Sequence, residues 1–482
     1  MAPKKTNNAD SGGLEGRQLY LAVAAVSLGT MLTIIDGAIA TVALPTIARD
    51  LHVDGSSAVL VVTVYQLVLV MALLPFSALG DRIGLKKLYQ GGQLLFTIAT
   101  ILCFFAHSLG FLLVVRALQA TGAAAALSVM AAMIRRIYPA KHLGRGLGLN
   151  NIMGSVSAAM APTAGGLILA IAPWPWVFAM AAPFALLSLA LGRWALPDVP
   201  ARPGGYNLAG AMLNIATFGL VIAGLEAIVH GNSPVVSGAV VVIGLLFGVI
   251  LVRHERREKF PILPVDLLAR PVLALSVTGA FMAFFASQLL ILSLPFRLQH
   301  GFGFAPSEVG AMLAPWPLTT MIVAPIAGSL SDRYPAGVLG GIGMAIATTA
   351  LILLSFLPTH PEYFDVAWRM ALCGAGFGLF LSPNARLIVG SAPRDRAASA
   401  GGLVSTTRLV GQTMGATGVA TMLALGVGTS FIPPLIAGGL TIAAGICSLS
   451  RLRPSIRNPA PHETSFAQRG VMAASGPPER RH

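Results

Sequence analysis

Asp36 stands in the stretch 19–41, where no other charged side chain occurs. If that stretch crosses a bilayer, an ionised carboxylate midway along it costs at least about 2.5–3.5 kcal/mol. A carboxyl group there is expected to spend part of its time protonated, which makes Asp36 a candidate reversible proton carrier. The competing reading is a hydrogen bond that packs one helix on another. Arg116 stands in a similar stretch, 111–134, with Gln119 three residues on. A guanidinium keeps its charge at physiological pH and needs partners when buried. It either tunes a nearby carboxylate or forms a static buried pair. Other acids near such stretches are few: Glu226 and Glu308. The residue patterns of enzymes are missing. There is no Gly-x-Ser-x-Gly, no Walker loop and no His/Cys metal cluster. Cys103, Cys373 and Cys447 all lie in apolar runs without ligand or disulfide spacing. No catalytic residue, metal or cofactor is expected.

These residues must be positioned by helices in a membrane. Of 482 residues only 10% are charged and 55% are hydrophobic, whereas soluble domains carry about 25% charged residues. That composition argues against a soluble enzyme, a disordered chain and a nucleic-acid binder. About 20 apolar residues span a bilayer core, and fourteen stretches meet that length. They run 19–41, 57–79, 88–109, 111–134, 147–171, 174–196, 207–229, 234–252, 272–294, 307–328, 337–357, 366–390, 399–426 and 430–450. A twelve-span count, merging or losing the seventh and eighth, is the main competitor. The first stretch is too long for a signal-peptide core and leads directly into the next. With both termini placed in the cytoplasm, 26 of the 32 Lys and Arg residues fall on that side and only Arg49 and Arg297 on the other. That asymmetry fixes orientation by the positive-inside rule. It also explains the net charge of +14 without nucleic acid as a partner.

The chain repeats itself. The turn after the second stretch contains Asp81-Arg82 followed by Gly84, and Asp332-Arg333 recurs 251 residues later. Arg116 has a counterpart 253 residues later in Arg369. Six spans occupy only about 180 residues, so the offset leaves room for two more. The expected plan is an all-α membrane protein of two six-helix bundles, 19–196 and 272–450, with two inserted spans at 207–252. Cytoplasmic segments follow at 1–18, 197–206, 253–271 and 451–482. Parallel repeats of this kind build transporters around a midplane site.

The motifs resemble those of the major facilitator superfamily, and within it the fourteen-span drug:proton antiporter-2 family, over nearly the whole chain between the tails. Ser77-Ala-Leu-Gly-Asp81-Arg82-Ile-Gly84-Leu-Lys86-Lys87 is similar to the gating loop Gly-x-Leu-Ala-Asp-Arg-x-Gly-Arg-Lys. The resemblance implies that Asp81, Arg82 and Gly84, with Asp332 and Arg333 in the repeat, help hold one conformational state; a plain topogenic basic loop is the alternative. Asp36 through Pro45 is similar to the first-span motif Leu-Asp-x-Thr-x-x-Asn-x-Ala-Leu-Pro, with Ala38 and Thr41 departing from it. Arg116-Ala-Leu-Gln119-Ala-Thr-Gly122 resembles Arg-x-x-Gln-Gly-x-Gly. Gly148, Ser157, Ala161, Pro162, Gly165 and Gly166 resemble the fifth-span motif that marks exporters, with Ser157 and Ala161 replacing glycines. A packing face of small residues would look the same.

The resemblance implies a proton-driven exporter in a bacterial cell (inner, cytoplasmic) membrane, working as a monomer on small amphiphilic compounds such as drugs and biocides. Tyr65, Gln66, Gln119, Asn384 and Arg408 are candidate cavity residues. Arg297, Arg386 and Arg408 add positive charge to the second half, so apolar, neutral, monocationic or weakly anionic substrates are expected over dications. The alternatives are an exporter of one endogenous metabolite or antibiotic, a uniporter or importer of the same fold, and a receptor or scaffold that transports nothing.

Overall fold

The computed structural model describes residues 13–138, 143–198, 206–258, 268–391 and 397–453. Within these there are helices, turns and loops but no strand. The first group of helices is α1 (Gly16–Asp50), α2 (Gly55–Ile83), α3 (Leu85–Cys103), α4 (Leu109–Ile137), α5 (Leu143–Ile171), α6 (Pro175–Ala179) and α7 (Ala182–Ala195). A hairpin follows, α8 (Leu208–Val229) and α9 (Pro234–Glu255). The second group is α10 (Pro271–Phe296), α11 (Pro306–Leu313), α12 (Pro315–Leu330), α13 (Ala336–Ser355), α14 (Tyr363–Gly390), α15 (Ala397–Ala424) and α16 (Ile432–Ser450).

Backbone polar groups cannot be left open to lipid, and helices satisfy them internally. Side-chain hydroxyls do the same by bonding one turn back: Thr97 to the Gln93 carbonyl and Thr348 to the Met344 carbonyl, among others. Proline opens α6, α9, α10, α11 and α12, where its missing N–H costs nothing.

Eleven of the described segments are long and apolar enough to cross a membrane. Two of them join short helices, Pro175–Ala195 and Pro306–Leu330. α3, α5 and α15 are not among the eleven. α3 opens with Lys86 and Lys87 and carries Gln90 and Gln93, and α5 runs over residues that are not fully described. The chain is thus a multi-pass membrane protein.

Within each group the helices pack mainly on one another, and the α8–α9 hairpin leans on α2 and α15. α9 turns Val235, Val242, Leu245, Leu246 and Ile250 outward, an apolar surface suited to lipid. The two groups meet along α2 and α15 and where α5 meets α11 and α12. At one end, a Cβ on Gly166 of α5 would sit 2.7 Å from the Pro306 carbonyl oxygen. Gln299 reaches across at the same end to donate to the Val42 carbonyl, 3.2 Å away.

Candidate functional site

Arg116 and Gln119, three residues apart on α4, share a helix face. α3 lies directly against α4, because Gly92 and Gly122 let the backbones touch. A Cβ on Gly122 would be 2.5 Å from the Phe96 nitrogen and 2.6 Å from the Gly92 carbonyl oxygen. That approach puts Thr100 of α3 within reach of Gln119, while α1 supplies Asp36 from the other side.

The result is a closed network. Arg116 Nη1 donates to Asp36 Oδ2 at 2.6 Å and to Gln119 Oε1 at 2.6 Å. Gln119 Nε2 donates to Asp36 Oδ1 and to Thr100 Oγ1, both at 2.9 Å. Arg116 Nε donates to the Val61 carbonyl of α2 at 3.3 Å. The guanidinium lies over the rings of Tyr65, at 4.2 Å, and Phe178, at 5.1 Å. Arg116 is 0% and Asp36 1% exposed. In so dry a place each charge is costly without the other. Among the described residues, Arg116 Nη2, the Tyr65 hydroxyl and Gln66 Oε1 have no hydrogen-bond partner. The arrangement can exchange one interaction for another: a proton on Asp36 would neutralise it and free the arginine for new acceptors.

The second half is built differently. Arg369, the sequence counterpart of Arg116, pairs at 3.1 Å with Asp365, one turn earlier on its own helix, and lies over Trp368 at 4.7 Å. Three other residues singled out from the sequence make structural contacts. Arg297 lies in a π-helical turn, 297–301, and donates to the carbonyls of Leu354 and Ser355, capping α13. Asn384 is 2% exposed, accepts from Arg451 at 2.6 Å and donates to the Ser276 carbonyl. Glu308 caps its own helix through the Ala305 N–H at 2.8 Å.

Arg451, counted from sequence as a basic residue of the cytoplasmic tail, is 5% exposed and ties α10, α14 and α16 together through Ser276, Asn384 and Ser448. Sequence reasoning missed this cluster; the one signal was a polar Asn384 beside Pro383 within an apolar run. Glu226 is 8% exposed and accepts from Thr417 of α15 at 2.6 Å, so it joins the inserted hairpin to the second half.

Gly84 has φ +97° between α2 and α3, a conformation that only glycine adopts freely. Arg82 comes two residues earlier, in the last turn of α2. The side chain of Asp81 lies outside the described residues, as does Gly148 beyond its helical backbone. At the equivalent place in the second half, Asp332 is exposed and paired with Arg386 of α14, whose hydrogen bond holds the Asp332 carboxyl below the usual carboxylate range. Arg333 is exposed. In the fifth-span motif, Ser157 and Ala161 are buried, and the Pro162 carbonyl faces Gly310 of α11. The small residues of α5 therefore form the seam between the halves.

The Major Facilitator Superfamily model matches residues 26–416 and, in a second overlapping match, 279–474. Among curated proteins, the chain is 42% identical to "Uncharacterized transporter YebQ" of Escherichia coli (strain K12), over 85% of this chain and 90% of that protein. It is 26% identical to "Riboflavin transporter RibZ" of Clostridioides difficile (strain 630), over 88% and 90%. It is 29% identical to "Multidrug resistance protein Stp" of Mycobacterium tuberculosis (strain CDC 1551 / Oshkosh), over 87% and 78%. The fold is similar to that of a POT family transporter crystallised with a thioalcohol-conjugated peptide, with TM-score 0.70 and 17% identity over 92% and 97% of the two chains. Bundle, seam and sequence agree: this chain is a membrane transporter of the Major Facilitator Superfamily.

Proposed function

We propose that the chain is a proton-coupled exporter of small amphiphilic compounds that works by alternating access. The observation that carries this is the Asp36–Arg116–Gln119 network, an ionisable group held by a cation deep among apolar helices. Proton entry from outside would neutralise Asp36 and release Arg116. Deprotonation toward the cytoplasm would restore the pair. The proton gradient is the only energy source required, without a cofactor, and a single chain suffices.

In this reading α3, α5 and α15 also cross the bilayer, giving fourteen spans with both termini in the cytoplasm and the second-half repeat at 272–450. The closed seam at Pro162, Gly166, Pro306 and Gly310 is then the outer end, so the state described opens inward. The gating turn at Asp81–Gly84 and its repeat at Asp332–Arg333 lie at the cytoplasmic end. The curated relatives named for multidrug resistance and riboflavin transport support an exporter of amphiphiles rather than a receptor.

The test is dye movement in everted membrane vesicles. An exporter concentrates dye inside them when a proton gradient is imposed, and an uncoupler abolishes the uptake. A uniporter only equilibrates the dye, an importer moves it the other way and a receptor moves none.

A further inference from the structure

α15 is buried or half-buried from 402 to 423 with one exception, Arg408, which is exposed. The helix geometry says where it points. At about 100° per residue, Gly411, Gly415 and Gly418 face Phe281, Phe285 and Gln288 of α10. Leu409 packs with Tyr65 and Leu69 of α2, and Gly402 faces Leu74 of the same helix. Thr417 faces Glu226 of α8. The sector left between the α10 and α2 sides, opposite α8, carries Ser405, Arg408 and Gln412. That sector opens on the space between the two halves.

Among the described residues, Arg408 has no ion pair or hydrogen bond. Among the described residues, the helices around that space supply no free acid to it. α10, α12 and the part of α5 from 150 to 171 are uncharged. Asp36 is consumed by Arg116, and Glu226 lies on the opposite side of α15. A cation held among apolar helices without a counterion is costly, and a guanidinium is shaped to bind carboxylate, sulfonate or phosphate oxygens in pairs.

We propose that Arg408, with Ser405 and Gln412, is an anion-recognition subsite, and that the transported amphiphiles carry a carboxylate or similar anionic group. This rests on the exporter reading and names its substrate class. The test uses three matched fluorescent probes, pyrenebutyrate, pyrenebutyramide and pyrenebutylamine, binding to the purified protein in phosphatidylcholine nanodiscs. The expected order places the carboxylate on the order of tenfold tighter than the amide. Arg408→Gln brings that ratio to near one and leaves amide affinity unchanged, which also shows that the variant is folded. Arg408→Lys keeps part of the preference. An unchanged ratio in Arg408→Gln, or a wild-type preference for the amine, overturns the proposal. Displacement of pyrenebutyrate by added phosphatidylglycerol overturns it too, making a lipid headgroup the anion. Failure of all three probes to bind the wild type defeats the amphiphile-carrier reading itself.

Discussion

The two halves of this transporter place arginines at corresponding points and treat them in opposite ways. Arg116 is fully buried, and its carboxylate comes from another helix, 80 residues earlier in the chain. Arg369 takes its carboxylate from one turn away on its own helix, and the pair is part-buried. A cross-helix pair changes when helices move against each other; a same-helix pair does not. The duplicated framework keeps the cation and changes its partner, from another helix in the first half to its own helix in the second. Among the described residues the second half also holds Arg408, which has no ion pair.

The largest expected effect follows from that contrast. Arg116→Leu strands Asp36 in a dry site and removes the packing against Tyr65 and Phe178. We expect a loss of about 3–5 kcal/mol, read as thermal unfolding of the purified protein in detergent. Arg369→Leu should cost less, because the Asp365 it leaves behind is 34% exposed and is not stranded in a dry site. Comparable losses would end the asymmetry.

A second break is aimed at the seam. Gly166→Val places methyl groups where the Pro306 carbonyl and Ser307 Cα now lie, at 2.7 and 2.9 Å from a Cβ, and backbone cannot yield there as a side chain would. Spin labels at Ile171 and Ala305 should move apart, and most turnover should be lost while substrate binding survives. An unchanged label distance would show that the seam is not where the halves close.

Asp36 and Arg116 were legible as charges in apolar runs, because a lone acid in a spanning stretch needs a reason. Their mutual contact was not legible, since nothing local records which of fourteen stretches will be neighbours. The same gap hid Arg297 and Arg451. Each follows an apolar helix and reads as a loop charge, yet each folds back onto carbonyls or side chains of other helices. Arg369 was legible as the repeat counterpart of Arg116, and its partner Asp365, one turn before it, is an ordinary i, i+4 neighbour. Most of the helices were legible, because hydrophobic length is set by the bilayer and not by tertiary context; eleven described segments are long and apolar enough to cross a membrane, and α3, α5 and α15 are not among them.

The smallest effect concerns the repeated turn. Arg386 lowers the Asp332 pKa, so the interaction is complete above the ordinary aspartate value of about 3.9. It fades only as pH falls through the lower folded value. Asp332→Asn should therefore leave the shape of the transport–pH profile unchanged between about pH 5 and 8. A shifted profile would assign part of the proton coupling to the second half.

The central claim is that Asp36 carries the proton. Proteoliposomes holding Asp36→Asn, an isosteric change that cannot cycle a proton, test it with two readings on one preparation. We predict that substrate exchange between equal pools continues, while uphill substrate movement and the substrate-dependent proton flux both vanish. Uphill accumulation by Asp36→Asn at the wild-type proton flux would contradict the account and move the carrier to another group.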